Sequence, residues 1–223
     1  MTPAAHGIPP SPWHLTGDMI SSVWQVPQAE LPSWPLPSGV RPWVARKRCT
    51  LVTFWVDYQP GGVLTYREFL VALAVRHRGR LAASTVAAWV DSEQALVGGR
   101  TLWGIPKQLG TITLEQDADS TRSELTGTGS TAAVRAVHRD MLRLPFRLPA
   151  RAHLVQELPD GTTCRVPLRL QGRPALGRTR VEAAPAPALS FLTHRRPVLS
   201  LAIRGFHGWV GSSEAQLRAS PGA

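Results

Sequence analysis

Two side chains have types and surroundings that could do chemistry, a lysine amine at Lys107 and a carboxyl group at Glu68. Lys107 is one of two lysines, with Lys47, in a chain whose 25 basic residues are otherwise arginine. Its neighbours Trp103, Ile105, Pro106 and Leu109 are apolar. A guanidinium stays protonated, whereas an uncharged primary amine condenses with a ketone to an imine. An ammonium is no nucleophile, and an apolar setting favours the neutral amine. Composition alone also accommodates a plainer reading, a surface lysine in a Gly-Pro loop. Glu68 alternates with Tyr66, Leu70 and Ala72 on one face of an expected strand. Its carboxyl group therefore faces a largely apolar space, where it must be protonated or partnered. A structural ion pair with an arginine is the alternative for Glu68. Tyr66 is a core-type residue, and Arg100 either holds a substrate carboxylate or ties down its loop.

The elements that must position these residues read as short strands. Met19–Val26, Thr50–Tyr58, Leu64–Val75 and Leu81–Val90 show β-type composition, and Pro60-Gly61-Gly62 marks a turn between two of them. Asp91-Ser92 offers an N-cap, so Glu93 to Val97 reads as a short helix stopped by Gly98-Gly99. A loop from Trp103 to Gly110 then carries Lys107. Further strands are expected at Thr111–Gln116, Arg122–Gly127, Thr131–Val137, His153–Glu157, Cys164–Leu170, Gly177–Glu182 and Val198–Arg204. Residues 29–42 hold four prolines and should be irregular, with Trp13, Trp24, Trp34 and Trp43 anchoring the N-terminal region. The last dozen residues should fray. The whole predicts a mainly β chain, an antiparallel closed β-barrel with flanking strands and a few short helices. No internal boundary is visible, so residues 1–223 form one expected domain.

Composition narrows the function classes. With 43% hydrophobic and 18% charged residues the chain is globular. The formal charge of +10 raises a nucleic-acid partner, but the longest basic run is Arg46-Lys47-Arg48 and no nucleic-acid motif occurs. Neither a nucleic-acid nor a membrane partner is expected. Cys49 and Cys164 lack redox or metal spacing, and the seven histidines, His6 to His207, lack zinc spacing. No metal or cofactor is expected. Apolar stretches fall well below the ~20 residues that span a bilayer, and no signal peptide is read, so a cytoplasmic protein is expected.

Two stretches carry a resemblance. Gly99-Arg100 followed by Pro106-Lys107-Gln108-Leu109-Gly110, within residues 84–110, is similar to the signature of the acetoacetate decarboxylase family. Gly62-Val63-Leu64-Thr65-Tyr66-Arg67-Glu68 resembles that family's Gly-x-x-x-Tyr-x-Glu strand. The resemblance implies a β-barrel, a Schiff base on Lys107 and an active-site acid at Glu68. Tyr66, Arg100, Trp103 and Gln108 become expected substrate contacts, and a homo-oligomer is expected. Three departures accompany it. Gln108 stands where the family's decarboxylases have a second lysine, Gly17-Asp18 where they have an arginine, and Thr53 where another acid would fall. The expectation is a Schiff-base-forming lyase, of decarboxylase or aldolase/dehydratase type, acting on a small-molecule keto acid or related carbonyl compound. A non-catalytic carbonyl- or carboxylate-binding protein on the same fold stays open, as does an Arg-rich nucleic-acid-binding module.

Overall fold

The computed structural model describes residues 7–128, 133–184 and 186–212. Among them run β1 (Trp13–Pro27), β2 (Val40–Pro42), β3 (Val44–Ala45), β4 (Arg48–Tyr58), β5 (Tyr66–His77), β6 (Arg80–Val90), α1 (Glu93–Trp103), β7 (Lys107–Gln116), β8 (Ser120–Gly127), β9 (Ala133–Arg143), β10 (Leu148–Glu157), β11 (Thr163–Ala183) and β12 (Leu199–Val210). The expected strand start at Thr131 and the expected frayed tail beyond Ser212 lie outside the described residues. The expected irregular stretch between β1 and β2 contains one short 3-10 turn, Gln28–Glu30. Trp13 and Trp24 are fully buried anchors of the N-terminal region.

All strands join one sheet, whose path runs β10-β6-β7-β8-β9-β11-β12-β1-β4-β5-β2, with β3 on β4 and further pairings β5–β6 and β10–β11. The expected antiparallel closed barrel is corrected to a mixed sheet. β7 pairs parallel to β6 through Ala88–Lys107, and β10 meets β6 parallel at Leu154–Ala83. The physical reason is α1. A helical crossover returns the chain to the same end of the sheet, so the next strand runs parallel.

The helix is longer than Glu93–Val97 because Gly98 and Gly99 do not stop it. Both are buried at contacts that exclude a side chain. A Cβ on Gly98 would sit 2.5 Å from the Trp13 ring, and one on Gly99 would sit 2.6 Å from Cε of Lys107. The expected N-cap is in place: the Ser92 hydroxyl accepts from the Ala95 N–H at 3.3 Å. The helix ends at Gly104, whose φ of 64° is the left-handed conformation that favours glycine. A second merger occurs in β11, where the two expected strands Cys164–Leu170 and Gly177–Glu182 are one. A register shift at Gln171/Arg173 lets it continue past Gly172, packed too closely on Ile203 for any Cβ.

Strand alternation splits the core into two clusters on opposite faces of the sheet. Phe69, Val71, Leu73 and Val75 of β5 join Ile20, Trp24, Leu51, Trp55 and Trp89 in the first. Tyr66 of β5 joins Trp13, Leu15, Met19, Val56, Tyr58, Ala88, Val90 and Phe206 in the second, which Ala95 and Trp103 of α1 also enter. Lys107 and Glu68 lie on this second face.

Candidate active site

The site is built across three adjacent strands. Glu68 of β5 stands opposite Val90 of β6, and Ala88 of β6 stands opposite Lys107 of β7. Neighbouring strands are ~4.8 Å apart, so the lysine must cross β6 to meet a residue of β5. It does so: Nζ lies 2.9 Å from Oε1 of Glu68. Ala88, in register with Lys107, is small enough to leave that path open, and Gly99 of α1 leaves space above it. Both charged side chains are almost entirely sealed from solvent, at 2% and 3%.

Two tyrosines complete the cluster. Tyr58 donates from its hydroxyl to Oε2 of Glu68 at 2.9 Å, and Nζ of Lys107 donates to the Tyr66 hydroxyl at 3.4 Å. The rings stack at 4.3 Å as the cross-strand pair that closes β4 and β5. Nζ sits 5.0 Å from the Tyr66 ring centre, within cation–π range. Burial, followed by the Glu68 charge, pushes the Tyr58 hydroxyl well above its ordinary pKa. Burial, then Tyr58 and Glu68, does the same to Tyr66. Both therefore remain neutral donors. The contact between Nζ and Oε1 is close but misaligned for a hydrogen bond, so Oε1 has an ion-pair neighbour and no hydrogen-bonding one.

The structure thus brings Lys107, Glu68 and Tyr66 together and leaves the other expected contacts elsewhere. Arg100 is exposed and donates from Nε to the backbone carbonyl of Lys107 at 2.8 Å, which ties the strand start to α1. Trp103 is buried edge-on against Trp13 at 4.8 Å. Gln108, one residue beyond Lys107 in a strand, is exposed and lies on the opposite side of the sheet, in register with Trp89. The loop expected from Trp103 to Gly110 is shorter in the structure: Trp103 ends α1, Gly104 to Pro106 form the link, and Lys107 already begins β7. Tyr58, Ala88 and Gly99 were not expected in the site. A signal for Tyr58 exists: the chain has only two tyrosines, and they stand on either side of the Pro60-Gly61-Gly62 turn.

The departures from the family pattern have structural roles. Asp18 accepts the Gly205 N–H at 2.6 Å, and Thr53 accepts from the Trp24 indole at 3.0 Å. Arg67 turns to Asp57 at 3.4 Å and Asp91 at 3.7 Å, away from Glu68. Neither a cavity of about 30 Å³ beside Arg204 nor a groove of about 620 Å³ beside Arg139 is lined by Lys107 or Glu68.

A mixed β-sheet carrying a sealed lysine–glutamate–tyrosine cluster is the class of protein defined so far. The chain belongs to the acetoacetate decarboxylase family: the family model described as "Acetoacetate decarboxylase (ADC)" matches residues 3–157. Among solved structures, the enduracididine biosynthesis enzyme MppR complexed with pyruvate is similar at 18% identity and TM-score 0.68, over 94% of this chain and 91% of that one. Acetoacetate decarboxylase from Legionella pneumophila subsp. pneumophila str. Philadelphia 1 is similar at 17% identity and TM-score 0.62, over 91% and 86%. An acetoacetate decarboxylase-like enzyme from Sphingomonas wittichii RW1 is similar at 19% identity and TM-score 0.59, over 90% of both chains. At these identities the likeness is one of fold. A comparison with curated proteins gives no match. No helix among the described residues is long and apolar enough to cross a membrane.

Proposed function

We propose that this chain is a Schiff-base-forming lyase, acting through Lys107 on a keto acid or related carbonyl compound. The observation that carries the reading is the 2.9 Å approach of a buried amine to a buried carboxylate, fed by a tyrosine hydroxyl on the other oxygen. Glu68 takes the ammonium proton on Oε1, and the neutral amine adds to the substrate carbonyl. The carbinolamine oxygen then leaves as water, with the proton returned by Glu68. The iminium that remains is an electron sink for an adjacent C–C or C–O bond. Loss of CO2, aldol cleavage or dehydration each use that sink. Tyr58 holds Glu68 in place, and a dry site strengthens the field of every group in it. Structures of one relative, MppR, hold pyruvate and, separately, the condensation product of pyruvate and imidazole 4-carboxaldehyde, carbonyl chemistry of the class proposed here.

Borohydride reduction in the presence of pyruvate, read as mass on the intact protein, tests the proposal. A stable adduct is expected in the native chain and none in Lys107→Arg. An adduct that survives in Lys107→Arg, and maps to Lys47, overturns it.

A further inference from the structure

The row of residues in register with Lys107 shows what can lie beside the carbonyl. Across β7, β6, β5 and β4 the order is Lys107, Ala88, Leu70, Phe54. Directly paired residues project on the same face of a sheet, so these four side chains form one line. Exposure rises along it: Lys107 and Ala88 are buried, while Leu70 and Phe54 are half-buried and pack on the same cluster. The line therefore leads from the sealed amine toward solvent. Ile203, Leu168 and Leu170, also half-buried, belong to the same cluster and supply further apolar surface.

Charge is absent from this path. Arg67 alternates to the other face of β5 and is held by Asp57 and Asp91. Arg204 is turned to Asp140 and Thr121. Arg165 and Arg169 alternate with Val166, Leu168 and Leu170 on β11 and are exposed. The only cation on the row is Lys107, which the reaction itself consumes as a nucleophile. A second anionic group on the substrate would thus be desolvated without a partner, whereas an alkyl or aryl group would cover half-exposed carbon.

Resting on the Schiff-base reading, we infer that the substrate of Lys107 bears an apolar tail, branched alkyl or aryl, and no anionic group at the tail end. Its carbonyl sits at Nζ and its tail runs over Ala88 to Leu70 and Phe54. These two residues set specificity without taking part in the chemistry.

The test compares borohydride-trapping efficiency for pyruvate, ketoisocaproate and ketoglutarate. The last two extend pyruvate by an isobutyl-type tail and by a carboxylate-ended tail. Ketoisocaproate is expected to trap roughly tenfold more efficiently than ketoglutarate, since each buried methylene favours binding severalfold. Phe54→Arg should reverse that order. Leu70→Arg is the second variant if the first does not fold, as judged by near-ultraviolet circular dichroism of the tryptophans. Adducts formed without preference, or with ketoglutarate preferred by the native chain, overturn the tail assignment alone. No adduct with any of the three overturns the Schiff-base reading and this inference with it.

Discussion

Two of the polar clusters buried among the described residues differ in how their charges are shared. The first is Lys107, Glu68, Tyr58 and Tyr66. The second, on β1, β9, β11 and β12, centres on Asp140, which accepts from Arg143 Nε at 3.0 Å and Arg204 Nη2 at 3.2 Å and lies 3.2 Å from His138 Nε2 without an aligned hydrogen bond. His138 then meets Thr179 Oγ1 at 2.9 Å, and Thr179 is bonded through Ser22 to Ser200. In the second cluster one carboxylate is shared by two guanidinium groups, and the network runs on through hydroxyls. Such a web fixes strands against one another. In the first, one amine faces one carboxylate, and an oxygen of that carboxylate lacks an aligned donor. A buried charge pair with so few supporting bonds is a poor device for stability. It is a good device for moving a proton.

The largest effect expected from breaking the first cluster is total. Lys107→Arg keeps the positive charge beside Glu68 and removes the only nucleophile, so adduct formation should fall to background in a folded protein. Glu68→Gln should retain detectable trapping while turnover falls ~10²–10⁴-fold, the usual contribution of a positioned acid or base. Turnover unchanged in Glu68→Gln would leave that residue structural, like Asp140. In the second cluster the same kind of change should act on stability. Asp140→Asn removes the charge that Arg204 and Arg143 share and should cost about 3 kcal/mol in urea unfolding. Trapping by the remaining folded protein should not change. A smaller effect, roughly tenfold in turnover with about 1 kcal/mol of stability lost, is expected for Tyr58→Phe, which removes one donor to Glu68 and leaves the ring stack. Kinetics and urea midpoints on the same samples check each pair.

The first cluster was more legible in the sequence than the second, for a physical reason. Lys107 stands out because lysine is scarce here and arginine cannot replace it. Glu68 stands out because strand alternation puts a carboxyl among apolar neighbours. Both signals are local. The Tyr58–Tyr66 stack depends on a hairpin register, which the turn suggests without fixing. Ala88 and Gly99 are invisible as site residues, since their role is to be absent from a space that only the β6–α1–β7 crossover creates. Reading Gly98-Gly99 as a helix stop also hid the parallel pairing of β6 and β7: propensity disfavours glycine in a helix, but close packing on Trp13 and Lys107 required it. The second cluster joins residues from Ser22 to Arg204 in the chain, and no local pattern connects them.

The smallest expected effect concerns pH and belongs to the second cluster. His138 is fully buried, and burial lowers its pKa below the ordinary value of 6.5. Asp140 pulls it upward and Arg204 pushes it down, and both are weaker influences than burial. In the unfolded chain the imidazole takes a proton as pH falls through about 6.5, while in the folded chain it resists until a lower pH. Between those two values the unfolded state binds more protons, so stability is full above the unfolded value and declines as pH drops below it. The slope from one such group is at most about 1.4 kcal/mol per pH unit. His153 is lowered too, by burial and then by Arg165 and Arg80, so it contributes to the same acid-side loss. Urea unfolding between about pH 7.5 and about 5.5 should show the decline in the native chain. His138→Gln should flatten it while His153→Gln flattens it less, because His153 is only half-buried. Glu68→Gln should leave this slope of the second cluster in place. A native chain that gains stability on acidification over that range would mean that Asp140 holds His138 charged, and that the two clusters are more alike than their bonds indicate.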